Sequence, residues 1–80
     1  MRLDLLPKTL DGKLDKVVEE AGEFLQAYGK FRAFGAHPRD EKTGIAYDNV
    51  RDIKRELEDL MFAVIMARTA IEKDYCTLDK

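Results

Sequence analysis

One cysteine in 80 residues, Cys76, leaves no partner for a disulfide within the chain. Long apolar runs are also missing. The longest, residues 60–67, is eight residues and too short to span a bilayer. Residues 1–10 carry acids and a proline among their leucines and lack the apolar stretch of a signal peptide. Charge of one sign is nearly absent in the balance: charged residues make up 38% of the chain, yet the net charge is -2. No basic surface for nucleic acid is expected to dominate. A soluble, cytoplasmic protein with no membrane contact and no nucleic-acid partner is the expectation.

Hydrophobic residues, at 45%, suffice for a globular core. The chain is nevertheless short, and a domain of this size buries only about 60–65% of the surface its unfolded form exposes. Without a disulfide, a metal or self-association is left to supply the missing stability.

Pro7 disfavours helix at the residue before it, so the first residues read as an extended lead-in. Thr9 or Asp11 can then cap a helix. From about 13 to 34 the apolar residues Leu14, Val17, Val18, Ala21, Phe24, Leu25, Tyr28 and Phe31 recur in helical steps of three and four. Gly22 and Gly29 weaken this helix, which suggests close approach of another backbone or a ligand. Gly35 can end it in the left-handed conformation. Residues 36–48 read as a loop long enough to be functional or mobile. Asn49 can cap a second helix, on which Val50, Ile53, Leu57, Leu60, Met61, Val64, Ile65 and Ile71 share a face. Residues 60–67 are apolar on every side and need neighbours that one further helix cannot supply. The expected fold is a single all-α domain: a helical hairpin of two long helices, assembling by dimerisation or tetramerisation into an oligomeric four-helix-type bundle.

Acids are arranged as Glu19-Glu20-x-x-Glu23 on the first helix and Glu56-x-x-Asp59 on the second. Steps of three place Glu20 with Glu23, and Glu56 with Asp59, one turn apart on the same side. Glu20, Glu23 and Glu56 flank the apolar faces, with Asp59 farther round toward solvent. If the helices run antiparallel with apolar faces together, four carboxylates converge. Two anions about 4 Å apart repel by about 1 kcal/mol in water and by more in a drier setting. A hard cation such as Mg²⁺ or Mn²⁺ suits such an oxygen-only set, and no histidine or thiol is placed for zinc. The bland alternative is a solvated acidic surface: Lys16 lies four residues before Glu20 and Arg55 four before Asp59, so surface ion pairs are available.

The stretch KVVEEAGEFLQA at 16–27, followed by ELEDLMFAVIMA at 56–67, resembles the MazG-like all-α nucleoside triphosphate pyrophosphohydrolases. Their pattern is E-E-x-x-E on one helix and E-x-x-D on the next. KFRAFG at 30–35 is similar to the basic, aromatic end of that first helix in small phage-type members. The likeness covers roughly residues 14–70. It implies Glu20, Glu23, Glu56 and Asp59 as metal ligands. Glu19 would be the catalytic acid that orients or deprotonates the attacking water, or a ligand of a second metal. The implied reaction cleaves a nucleoside triphosphate between its α- and β-phosphates, with Mg²⁺ (or Mn²⁺) neutralising phosphate charge and lowering the pKa of bound water. A dUTPase-like enzyme, a phosphoribosyl-ATP pyrophosphatase relative, or a non-catalytic helical interaction module are the alternatives.

For the phosphates, Lys16 and Lys30 share the flank of Glu20 and Glu23, with Arg32, Arg39 and Lys42 as looser candidates. Arg68 falls amid apolar residues and either snorkels or reaches an acid or phosphate across a subunit boundary. Tyr28, Phe31, Phe34 and Tyr47 could stack on a base, although aromatics at helical spacing are usually core.

Overall fold

Thr9 opens the first helix. Its backbone is extended and its hydroxyl accepts the Gly12 amide at 3.0 Å, satisfying one donor of the first turn. Asp11, the other candidate cap, lies inside that turn, where its charge favours the helix's positive end. The computed structural model describes residues 7–74, in which α1 (Leu10–Phe34) and α2 (Asn49–Asp74) form an all-α hairpin. Cys76 and the lead-in before Pro7 lie outside the described residues.

The junction between the helices departs from expectation in two places. Gly35 ends α1, its amide reaching the Phe31 carbonyl at 2.8 Å, but with φ 87° and ψ -175° it is not in the left-handed helical region. That combination belongs essentially to glycine. The Gly35 carbonyl accepts from the Asn49 side-chain amide at 2.9 Å. Asn49 is therefore not the cap of α2. Asp48 is: its carboxylate accepts the Arg51 amide at 2.9 Å and its carbonyl accepts the Asp52 amide at 3.2 Å. The chemistry explains the division. The carbonyl at the end of α1 needs a donor, which a side-chain amide supplies and an ionised carboxylate cannot. The Asn49 backbone amide adds a bond to the Ala36 carbonyl at 2.9 Å, and the residue is buried.

Between these anchors, residues 36–48 form a tight, ordered turn. Arg39 and Ala46 make an isolated antiparallel bridge. Asp40 donates its amide to the Ile45 carbonyl and accepts the Gly44 amide, while the Tyr47 amide bonds the Pro38 carbonyl at 2.9 Å. The Asp40 carboxylate accepts the amides of Lys42 and Thr43, and the Arg39 guanidinium closes on the Gly44 carbonyl at 2.6 Å. Gly44, at φ 73°, makes the reversal possible.

Lys16 lies beside Ala63 and Met66 at one end, and Gly35 beside Asn49 at the other, so the helices run antiparallel. Their shared seam is built from small residues. Ala27 of α1 and Ala63, Ala67 and Ala70 of α2 are buried, and they let the two backbones approach closely. The expectation that the large apolar faces meet each other is met only in part: Val17, Phe24 and Phe31 on α1 and Ile53, Leu60 and Ile71 on α2 are half-buried. Leu14, Val18, Leu25 and Tyr28 on α1, and Leu57, Met61, Val64 and Ile65 on α2, are exposed, Val18 by 72%. At about 100° per residue, both sets lie to the same side of the seam. A helix with one neighbour buries one stripe, and here that stripe is the alanine column.

The hairpin is thus a slab whose smallest dimension is 15 Å, little more than the roughly 10–12 Å diameter of a single helix. One broad face is apolar and the other carries the acids. Gly22 and Gly29 fall on the apolar face, and a Cβ at either would meet nothing within 4 Å. The close approach expected at these glycines does not occur within the chain.

Asn49→Ala should lower stability by about 1–2 kcal/mol in urea denaturation, because it strips the Gly35 carbonyl of its donor. Asp48→Asn, which keeps an oxygen acceptor at the cap, should cost only a few tenths of a kcal/mol. Equal losses in the two variants would mean that the clamp has been assigned to the wrong residue.

Candidate metal centre

Glu20 sits in the seam between the helices, only 4% exposed. Lys16, one turn back on α1, reaches one carboxylate oxygen at 3.3 Å. The other oxygen, Oε2, is buried and has no hydrogen-bond partner among the described residues. A buried carboxylate oxygen without a donor costs on the order of 1–3 kcal/mol, more when it is charged.

Glu20 belongs to two groups of acids. With Glu19 and Glu23 it forms one on α1; with Glu56 and Asp59 it forms another that bridges both helices. In each group one oxygen per residue lies within 4.8 Å of the others. Asp59 is half-buried and turned into the cluster, not out toward solvent. Packing along the alanine column, instead of along the large apolar residues, rotates both acidic flanks inward and brings Asp59 with them.

Two cations touch these acids. Lys16 bonds Glu19 at 2.8 Å as well as Glu20, and these carboxylates hold its pKa above the ordinary lysine value. Arg55 lies 3.5 Å from Glu56 and 3.4 Å from Asp52. Of the two ion pairs that spacing made available, Lys16–Glu20 forms and Arg55–Asp59 is replaced by these two contacts. Five carboxylates face Lys16 and Arg55, and among them the Glu23 pKa is raised above 4.5. The chief cause is a hydrogen bond that protonated Glu23 can give Glu20, followed by partial burial and the charges of Glu20, Glu56 and Glu19.

A recess of about 180 Å³ opens beside the cluster, lined by Glu23, Gln26, Lys30, Asp52, Arg55 and Glu56 among others. Lys30 therefore stands with the acids. Arg68 does not: it is exposed on the apolar side and pairs with Glu72 of its own helix at 3.4 Å. Of the aromatics, Tyr28 stacks with Phe24 at 6.2 Å, Phe31 is half-buried, and Phe34 and Tyr47 are exposed near the loop. Asp52 and Asn49 were not among the expected site residues. Their signal was present in the spacing, because Asn49, Asp52, Glu56 and Asp59 fall on one stripe of α2 that continues into the alanines.

No protein-family model, curated protein or solved structure matches the chain.

The Glu23 shift has a definite sign. Folded protein keeps this proton at pH values where the unfolded chain has released it. Stability tied to the Glu23–Glu20 pair is full below pH 4.5 and is lost as pH rises through the raised Glu23 value. In chelator, the melting-temperature advantage of Glu23→Gln over the wild type should therefore widen as pH climbs from 4 toward neutrality, over about three pH units. Parallel melting curves for the two proteins would show that Glu23 and Glu20 share no proton.

Proposed function

We propose that the chain is a divalent-metal-dependent nucleotide pyrophosphohydrolase of the MazG-like kind, cleaving nucleoside triphosphates to nucleoside monophosphate and pyrophosphate. The observation that carries this reading is Glu20 Oε2, a buried oxygen with no partner among the described residues, on the one residue common to both acidic groups. Its environment fits a hard cation. The donors are all carboxylate oxygens, and ligand oxygens around an ion with bonds of about 2.0–2.1 Å stand roughly 3–4 Å apart, within the spread seen here. Glu20, Glu23, Glu56 and Asp59 would hold it. When bound, Mg²⁺ or Mn²⁺ supplies positive charge to offset the phosphates and Lewis acidity toward water.

The chain's own residues supply the remainder. Glu19 is the outermost acid of the first group, with its side chain 60% exposed, so it can accept a proton from water. Lys16 holds Glu19 and Glu20 in fixed relation through its two bonds. Lys30, on the rim of the recess, offers an ammonium to phosphate oxygen. In the reaction, the water oxygen bonds to a phosphorus flanking the α,β-bridging oxygen and its proton passes to Glu19. The bond from that phosphorus to the bridging oxygen breaks, releasing the two products. The Lys16–Glu19 and Lys16–Glu20 pairs exist without any ion and serve as its structural frame.

We assign the apolar face to a second copy of this chain. Val18, Leu25, Met61 and Ile65 are 72%, 63%, 61% and 50% exposed on one side of the hairpin, an apolar face that nothing within α1 and α2 covers. Two hairpins stacked through Leu14, Val18, Leu25, Leu57, Met61, Val64 and Ile65 would make a four-helix bundle with the acids facing away from the contact. Among the described residues, no helix is long and apolar enough to cross a membrane.

Pyrophosphate release from a panel of nucleoside triphosphates should require Mg²⁺ or Mn²⁺ and fall at least about 100-fold in Glu56→Gln, beyond the usual effect of disturbing a residue behind the ligands. Asp59→Asn should melt higher than the wild type in chelator, by about 1 kcal/mol of stability, and gain less from added Mg²⁺. Activity surviving exhaustive chelation would sink the metal mechanism.

Light scattering at micromolar concentration should give at least twice 9.2 kDa. Met61→Asp should shift that mass downward, because it places a charge in the apolar contact. A folded wild-type particle of 9.2 kDa would exclude the dimer.

A further inference from the structure

The turn and the end of α1 enclose an open groove of about 670 Å³, distinct from the carboxylate recess. Its walls include Lys30, Phe34, Pro38, Lys42, Tyr47 and Asp52. Lys30 and Asp52 line the carboxylate recess as well, so the two spaces adjoin at these residues. We propose that this groove receives the nucleoside half of the substrate, with the base against Phe34 and Tyr47, the sugar near Asp52 and the phosphates running past Lys30 to the acids.

Three observations support the assignment, which rests on the phosphate-cleaving reading of the acids. Phe34 and Tyr47 are 68% and 48% exposed at the groove, although aromatic rings of this size ordinarily bury their faces. They come from different elements, the end of α1 and the strand of loop before α2. Tyr47 is held by the hydrogen bond its backbone amide donates to the Pro38 carbonyl, within a turn already closed by Asp40 and Arg39. The platform therefore exists before any ligand arrives.

The second observation is alignment. Glu23, Lys30 and Phe34 lie at i, i+7 and i+11 on α1, within about 40° of one another around the axis. Eleven residues of helix separate the carboxylate from the ring by about 16 Å. That is of the order of an extended nucleoside triphosphate from terminal phosphate to base. Lys30 falls between them, with no ion-pair partner among the described residues, at the position a phosphate would pass.

The third is chemistry at the junction. Asp52 is half-buried and lies 3.4 Å from Arg55 through one oxygen, leaving lone pairs to accept from a sugar hydroxyl. Stacking on a ring is tolerant of base identity, since every base has a π-face. Phe34 and Tyr47 thus distinguish nucleotides from inorganic polyphosphates more sharply than they distinguish one base from another.

Backbone amide spectra of the full chain with Mg²⁺ provide the test, with inorganic tripolyphosphate and a deoxynucleoside monophosphate as probes. Tripolyphosphate should move amides around Glu23, Gln26 and Glu56. The monophosphate should instead move Phe34, Tyr47 and residues 39–46. Phe34→Ala, a change at an exposed ring, should weaken the monophosphate about tenfold relative to tripolyphosphate. If the monophosphate moves only the carboxylate recess, or if the affinity ratio is unchanged in Phe34→Ala, the groove assignment is wrong while the phosphate site stands. If neither probe binds, the reading of the acids fails and the groove falls with it.

Discussion

A carboxylate held between two helices, with one oxygen unsatisfied among the described residues, is the constraint from which the rest of this structure follows. Glu20 could reach solvent only if the helices parted, and the alanines across the seam keep them together. Burying a charged group is costly unless it is paired, and Lys16 pairs only one of its oxygens. The remaining demand is met from outside the chain or by proton sharing with Glu23. Helix packing and the chemistry of the acidic cluster are consequently one problem, because separating α1 from α2 dismantles the group formed by Glu20, Glu56 and Asp59.

Division of labour between the two faces is a consequence of that seam. With the alanine column turned inward, the acids emerge on one side and the large aliphatic residues on the other. A thin slab has no third place to put them. The acidic face and the apolar face are therefore separated by a single layer of helix, and neither obstructs the other. The Asn49 clamp and the Asp48 cap secure the end of this arrangement where the turn leads from the carboxylate recess to the aromatic groove.

Much of this could be read from residue spacing. The steps of three and four on either side of residues 36–48 required two helices, and Glu19-Glu20-x-x-Glu23 with Glu56-x-x-Asp59 singled out the acids that converge. Spacing alone did not reveal which stripe of each helix faces its neighbour. Leu57, Met61, Val64 and Ile65 have the greater apolar surface and so suggested the seam, whereas Ala63, Ala67 and Ala70 occupy it. Hydrophobic amount misleads when small residues permit closer backbone approach. The same rotation moved Asp59 inward and left Gly22 and Gly29 in the open. Asn49 and Asp48 were adjacent candidates for a single capping role, and only the carbonyl waiting at Gly35 separates donor from acceptor. Phe34 and Tyr47 share no helical period, so nothing in the sequence pattern joined them; the Arg39–Ala46 bridge does.

The alanine column also acts as a gauge. Methyl groups at 63, 67 and 70 set how far apart the two helix axes stand, and hence the gap between Glu20 on one and Glu56 and Asp59 on the other. In the proposed metal site, ionic radius would be sensed through that gap: bonds to Ca²⁺ are longer than those to Mg²⁺ by about 0.3–0.5 Å and tolerate more ligands. Each added methylene in the seam would push the axes apart and move the preference from the smaller cation toward the larger. Ion selectivity in such a hairpin would be encoded several residues away from any oxygen that touches the ion, in side chains with no polar atom.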